Sequence, residues 1–96
     1  MIELTYKSKF YKCKLKGIIQ ESHGSKFQLE EIEGSNTLDI LVDESVERIN
    51  NRIQDVLTGN RDKVYLSHGM RNIDLEKIST GKWQLFDEYD IYEFEM

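Results

Sequence analysis

The sequence predicts an α+β fold: a bent antiparallel β-sheet or small barrel of about six to eight short strands, with one central amphipathic helix over residues 43–58. Three observations carry this expectation. Only one stretch, Asp43 to Gly59, places apolar residues at three- and four-residue steps. The segments on either side alternate apolar and polar residues, or hold short β-branched and aromatic runs, between glycine-containing turns. The connections between those segments are short, which favours antiparallel neighbours. A length of 96 residues with no linker or low-complexity stretch argues for one domain, 1–96.

The helix follows from its own residues. Val46, Ile49, Ile53, Val56 and Leu57 fall on one face, and Glu47, Arg48, Asn50, Asn51, Arg52, Gln54 and Asp55 on the other. Asp43 or Ser45 suits the N-cap, and Glu44 and Glu47 put negative charge at the positive end of the helix dipole. Glu44 and Arg48 stand four apart in the favourable order. Gly59 offers a left-handed C-terminal cap. A helix of about four turns is marginal by itself, so it needs an apolar surface supplied by the strands. Arg48 and Arg52 form a small basic patch on its polar face, read as solvated with Arg52 paired to Asp55.

Taken in order, Ile2, Leu4 and Tyr6 alternate with polar residues as in a half-buried strand. At Ser8 to Phe10 the parity slips, as a turn or bulge would cause. Tyr11, Cys13 and Leu15 then face one way and Lys12, Lys14 and Lys16 the other, with the strand running on through Ile18 and Ile19. Glu21 to Lys26 reads as a turn around Gly24. Phe27 to Ile32 and Leu38 to Val42 are strands around a Gly34-Ser35-Asn36 loop. After the helix come a short strand Val64 to Leu66, a turn Ser67 to Met70, a strand over Ile73, Leu75 and Ile78, a loop at Ser79 to Lys82, and two strands, Trp83 to Phe86 and Tyr89 to Phe94.

Ser-His-Gly occurs twice, at Ser22 to Gly24 and Ser67 to Gly69, and these hold the only two histidines of the chain. Each is followed by a polar stretch and then apolar-x-Leu-Glu-x-Ile. A duplicated hairpin unit would give this pattern. So would two unrelated hairpins that share a turn grammar, and a two-copy match of this length favours the second account.

Composition narrows the function. The net charge is −5. Residues 1–42 balance, whereas residues 43–96 hold twelve carboxylates against seven cations. No apolar run is long enough to span a membrane, and the opening residues lack a signal-peptide core, so an intracellular, cytoplasmic protein is expected. Cys13 is the only cysteine, which excludes a disulfide within the chain, and its strand position suits a buried structural thiol. The absence of proline and alanine beside frequent isoleucine and lysine suits an AT-rich coding sequence.

No Gly-x-Ser-x-Gly elbow, phosphate-binding glycine loop or metal-ligand spacing is present, so no cofactor, no metal and no catalytic residue is expected. Neighbouring carboxylates such as Glu30-Glu31 and Asp87-Glu88 point to opposite faces of a strand, a poor geometry for acid–base work. The lysine-rich start mixes aromatics and cations as single-strand binders do, but the acidic total disfavours direct nucleic-acid binding.

The most unusual segment is the last, Phe86 to Met96, with five carboxylates, Tyr89, Tyr92 and Phe94. Asp87, Glu88, Tyr89, Asp90, Tyr92 and Glu93 are therefore the expected partner contacts: anionic steering charges with rigid rings. The competing expectation pairs this strand with the lysine-rich first strand, so that both fields cancel. The leading functional expectation is a small acidic, non-catalytic interaction module. Its partner would be a basic protein surface, such as that of a nucleic-acid-binding protein. An inhibitor carried by a phage or mobile element, an immunity protein or an antitoxin fits. The alternative is a ligand site or enzyme built on His23 and His68, within one chain or across a homodimer.

Overall fold

The computed structural model describes residues 9–96. The expected strand at Ile2 to Lys7 and the start of the parity slip at Ser8 lie outside the described residues. Seven strands and one helix follow in the order β1 (Phe10–Glu21), β2 (Gly24–Glu31), β3 (Thr37–Val42), α1 (Val46–Leu57), β4 (Lys63–His68), β5 (Arg71–Ser79), β6 (Lys82–Asp87) and β7 (Asp90–Glu95). The α+β class and the single central helix are as the sequence predicts.

All seven strands belong to one sheet, ordered β3-β2-β1-β7-β6-β5-β4. It consists of two meanders, β1-β2-β3 and β4-β5-β6-β7, each joined by short turns and antiparallel within itself. The sheet is not wholly antiparallel, however. The meanders meet where β7 runs parallel to β1, with Phe10, Tyr11 and Lys12 opposite Ile91, Tyr92 and Glu93. Loop lengths fix pairing only between strands adjacent in sequence, so they leave open the contact between the first and last described strands and its parallel direction.

The inward residues are those that alternation selects. Cys13, Phe27, Leu29, Val64, Leu75, Trp83, Leu85 and Phe94 join Ile49, Ile53 and Val56 of the helix in one buried cluster. Each fully buried large side chain contributes about 1.5–3 kcal/mol. Tyr11 and Tyr92 stack across the seam with ring centroids 5.0 Å apart and planes within 9°. Within β1 a bulge lies between Leu15 and Gly17, a parity change that the alternation did not announce. Lys16 is the extra residue, and it lets both Leu15 and Ile18 point inward.

Ser45 caps the helix, its hydroxyl accepting from the Arg48 N–H. Arg48 reaches Glu44 at 3.3 Å as expected. Arg52 does not pair with Asp55. It reaches Glu44 at 3.7 Å and donates to the Tyr65 carbonyl, while Asp55 takes Arg61 at 3.4 Å. Arg52 points back toward the helix N-terminus, as helical side chains do, and so meets Glu44 before Asp55. Cys13 is buried, and burial together with the charge of Glu31 pushes its thiol up to about 11.

The sheet curls until its two edge strands touch. The N–H of Asp43, at the end of β3, donates to the Ser67 carbonyl of β4 at 2.7 Å. The helix connects the same two strands in sequence and packs its apolar stripe, Ile49, Ile53 and Val56, into the core. No helix among the described residues is long and apolar enough to cross a membrane.

Candidate functional site

The acidic last segment folds as the β6–β7 hairpin, and β7 lies in the middle of the sheet between β6 and β1. Alternation sends Trp83, Leu85 and Asp87 inward together. Asp87 is therefore only 7 % exposed. Arg71 donates to its Oδ2 at 2.7 Å, whereas its Oδ1 is buried without a hydrogen-bond partner among the described residues. Burial raises the Asp87 pKa above the ordinary carboxylate range; Arg71 pulls it back, and Glu88 and Asp90 push it further up. Tyr92 is buried against Tyr11, and its hydroxyl is pushed up to about 12, first by burial and then by Asp90 and Asp87.

Two of the six expected partner contacts, Asp87 and Tyr92, thus belong to the interior and hold the hairpin in place. The other four are accessible to different degrees. Glu88 and Tyr89 form the exposed turn, with Glu88 in the left-handed region at φ 54°. Asp90 is half-buried opposite Asp87. Glu93 points outward, beside Lys12 in the seam and 3.9 Å from Lys82. The pairing of the acidic strand with the lysine-rich one therefore does form, over three rungs.

Strand register also arranges the outer face of the sheet, which no local reading could assemble. One row across it reads Phe10, Ile91, Phe86, Asp74, Tyr65, and the next Lys12, Glu93, Gln84, Glu76, Lys63. Phe10 is 50 % and Tyr65 60 % exposed. Each residue is visible in the sequence as the outward member of an alternating pair. Only the register makes them neighbours.

The two Ser-His-Gly turns converge on one corner, although 45 residues separate them. His23, exposed, and His68, half-buried, line the same cleft of about 430 Å³. Glu21, Ser22, Ser25, Lys26 and Asp39 complete its polar wall, and Leu41 and Val42 are apolar. Lys26 is held between Glu21 at 3.2 Å and Asp39 at 3.8 Å. Beside the cleft the end of β3 is clasped from both sides. The Gly69 N–H donates to Asp43 Oδ2 at 2.7 Å, and the buried Ser25 hydroxyl donates to the Glu44 carbonyl at 2.6 Å. Gln20 donates to the Gly24 carbonyl and accepts from the Val46 N–H, which ties the β1–β2 hairpin to the helix N-terminus. Gln20 and Ser25 gave no sequence signal, and Asp43 read only as a candidate N-cap, a place Ser45 takes, because each acts through a partner distant in the chain.

Among the described residues no group of three or more His, Cys, Asp or Glu side chains is arranged to hold a metal ion. Comparisons of the chain with protein-family models, with curated proteins and with solved structures find no match.

Proposed function

We propose that this protein is a small, non-catalytic interaction module whose partner presents a basic protein surface. The observation that carries this reading is the β6–β7 tip, where Glu88 and Asp90 flank Asp87, whose one paired cation is Arg71. An excess of anionic charge at an exposed turn steers a cationic partner and speeds its encounter. The net charge of −5 acts in the same direction. Blocking a cytoplasmic nucleic-acid-processing protein, as a phage or mobile-element inhibitor, immunity protein or antitoxin does, suits such a module. Glu88→Gln, Asp90→Asn and Glu93→Gln together leave the Asp87–Arg71 pair intact. In affinity capture at low salt, a basic partner retained by the wild type and released by salt should bind the triple variant at least tenfold more weakly. Unchanged retention would remove the reading.

One observation favours a second reading, a small-ligand site: both histidines of the chain line a single polar cleft. Neutral imidazole offers one donor and one acceptor, and two of them in one cleft could orient a polar ligand. A ligand found by thermal-shift screening should lose its stabilising effect in His23→Ala/His68→Ala, with the Tm of the free variant near that of the wild type. A ligand shift that survives in the double variant would end this reading.

A further inference from the structure

We infer that the open edge of β3 is a docking site for an extended segment of another protein, which joins the sheet there as an added strand. This goes beyond the basic-partner reading and does not use the charges of the β6–β7 tip. Hydrogen-bond parity defines the edge. The Glu31 N–H donates to the Asn36 carbonyl, one rung beyond the register that sets Glu30 opposite Thr37. Backbone groups alternate in direction along a strand, so Leu38, Ile40 and Val42 turn theirs to β2, and Thr37, Asp39 and Leu41 turn theirs away from it. Asp43, next in that series, keeps the same direction, and its N–H reaches the Ser67 carbonyl of β4. Thr37, Asp39 and Leu41 are exposed, and their outward N–H and C=O groups have no hydrogen-bond partner among the described residues.

The other edge of the sheet is occupied. On β4 the Tyr65 carbonyl accepts from Arg52 of the helix, and the Ser67 carbonyl accepts from Asp43. β3 carries no lysine, proline or bulge to guard its free side, and its one charged residue is Asp39. Donors and acceptors that recur at every second residue, about 6.7 Å apart, are matched by another extended backbone. A second copy of this chain is a poor occupant. The antiparallel twofold register that engages Thr37, Asp39 and Leu41 sets Asp39 against its own copy, and like charges directly opposite destabilise a strand pair. Lys26 is shared between Asp39 and Glu21, so each copy brings a net negative charge to that rung. A segment with an uncharged residue there meets no such penalty. Where the open edge ends, the cleft of His23 and His68 adjoins Asp39 and Leu41 and can receive one side chain of the added strand.

The test uses the full chain, labelled with nitrogen-15, against two probes: a capped hexapeptide alternating threonine with valine, and the same peptide N-methylated at every residue. The first should slow hydrogen exchange at the Thr37, Asp39 and Leu41 amides at least tenfold, and the second should bind at least tenfold more weakly. Asp39→Pro removes an N–H that points away from β2, so the β2–β3 ladder is kept while peptide affinity should fall at least tenfold. If that variant does not fold, the two peptides compared on the wild type still decide. Glu88→Gln/Asp90→Asn/Glu93→Gln should bind the peptide as the wild type does, which separates this inference from the basic-partner reading. Absence of binding at millimolar peptide, equal binding of the two peptides, undiminished binding by folded Asp39→Pro, or loss of binding in the tip variant overturns the inference. So does a wild-type chain that sediments as a dimer with the same three amides protected, which would give the edge to a second copy.

Discussion

Ser22-His23-Gly24 reverses the chain at Ser22 and His23 and puts Gly24 into β2, whereas Ser67-His68-Gly69 keeps its first two residues in β4 and turns at Gly69 and Met70. The same three residues are thus used two positions out of step. Their glycines face different constraints. Gly24, at φ 123°, lies against β3 so closely that a Cβ would sit 2.2 Å from the Val42 carbonyl oxygen. Gly69, at φ 61°, has nothing within 4 Å of such an atom. It contributes instead a backbone N–H to Asp43. One turn holds the corner by close approach and the other by a hydrogen bond. A shared tripeptide therefore does not imply a shared role, even when both copies end at the same corner.

This contrast can be tested by substitution. Gly24→Ala should be the most damaging, costing about 3 kcal/mol or more, since an unfavourable φ adds to a clash with main chain that cannot swing away. A urea-denaturation midpoint within 1 kcal/mol of the wild type would show that β3 can retreat and that the close approach is incidental. Asp43→Ala should cost about 1.5 kcal/mol, as expected for a partly exposed, charge-assisted hydrogen bond. It should also speed hydrogen exchange at the Gly69 amide, and an unchanged exchange rate would deny Asp43 its clasping role. Gly69→Ala should be the mildest, about 1 kcal/mol, because only the left-handed backbone is penalised. If it proved as costly as Gly24→Ala, the distinction between the two turns would collapse.

The sequence disclosed most of what depends on neighbours along the chain. The helix was legible because Ile49, Ile53 and Val56 recur with its period and Ser45 begins it. The strands were legible through the alternation of Cys13 with lysines and of Trp83 and Leu85 with polar residues. The same rules erred at turn edges. Ser67 and His68 read as a turn but extend β4, because pairing with Asn72 and Arg71 outweighs their turn preference. The bulge after Leu15 went unread, although Gly17, without a side chain, marked the flexible point. Of the candidate sites, His23 and His68 were legible as a pair only because they share a motif. The inward position of Asp87 was available from parity with Trp83 and Leu85, but a carboxylate seldom occupies such a place without a cation, and Arg71 lies on another strand. The outer apolar row required the register of five strands at once.

The parallel seam bears on how the chain reaches this state. Each meander assembles from hairpins closed by short turns, a local and rapid process. The seam joins Phe10 to Ile91, some 80 residues apart, through only three rungs. Its loop-closure entropy is recovered only once both meanders exist. The seam and the tyrosines stacked across it are then the last parts to lock, and the first that a destabilising change would release.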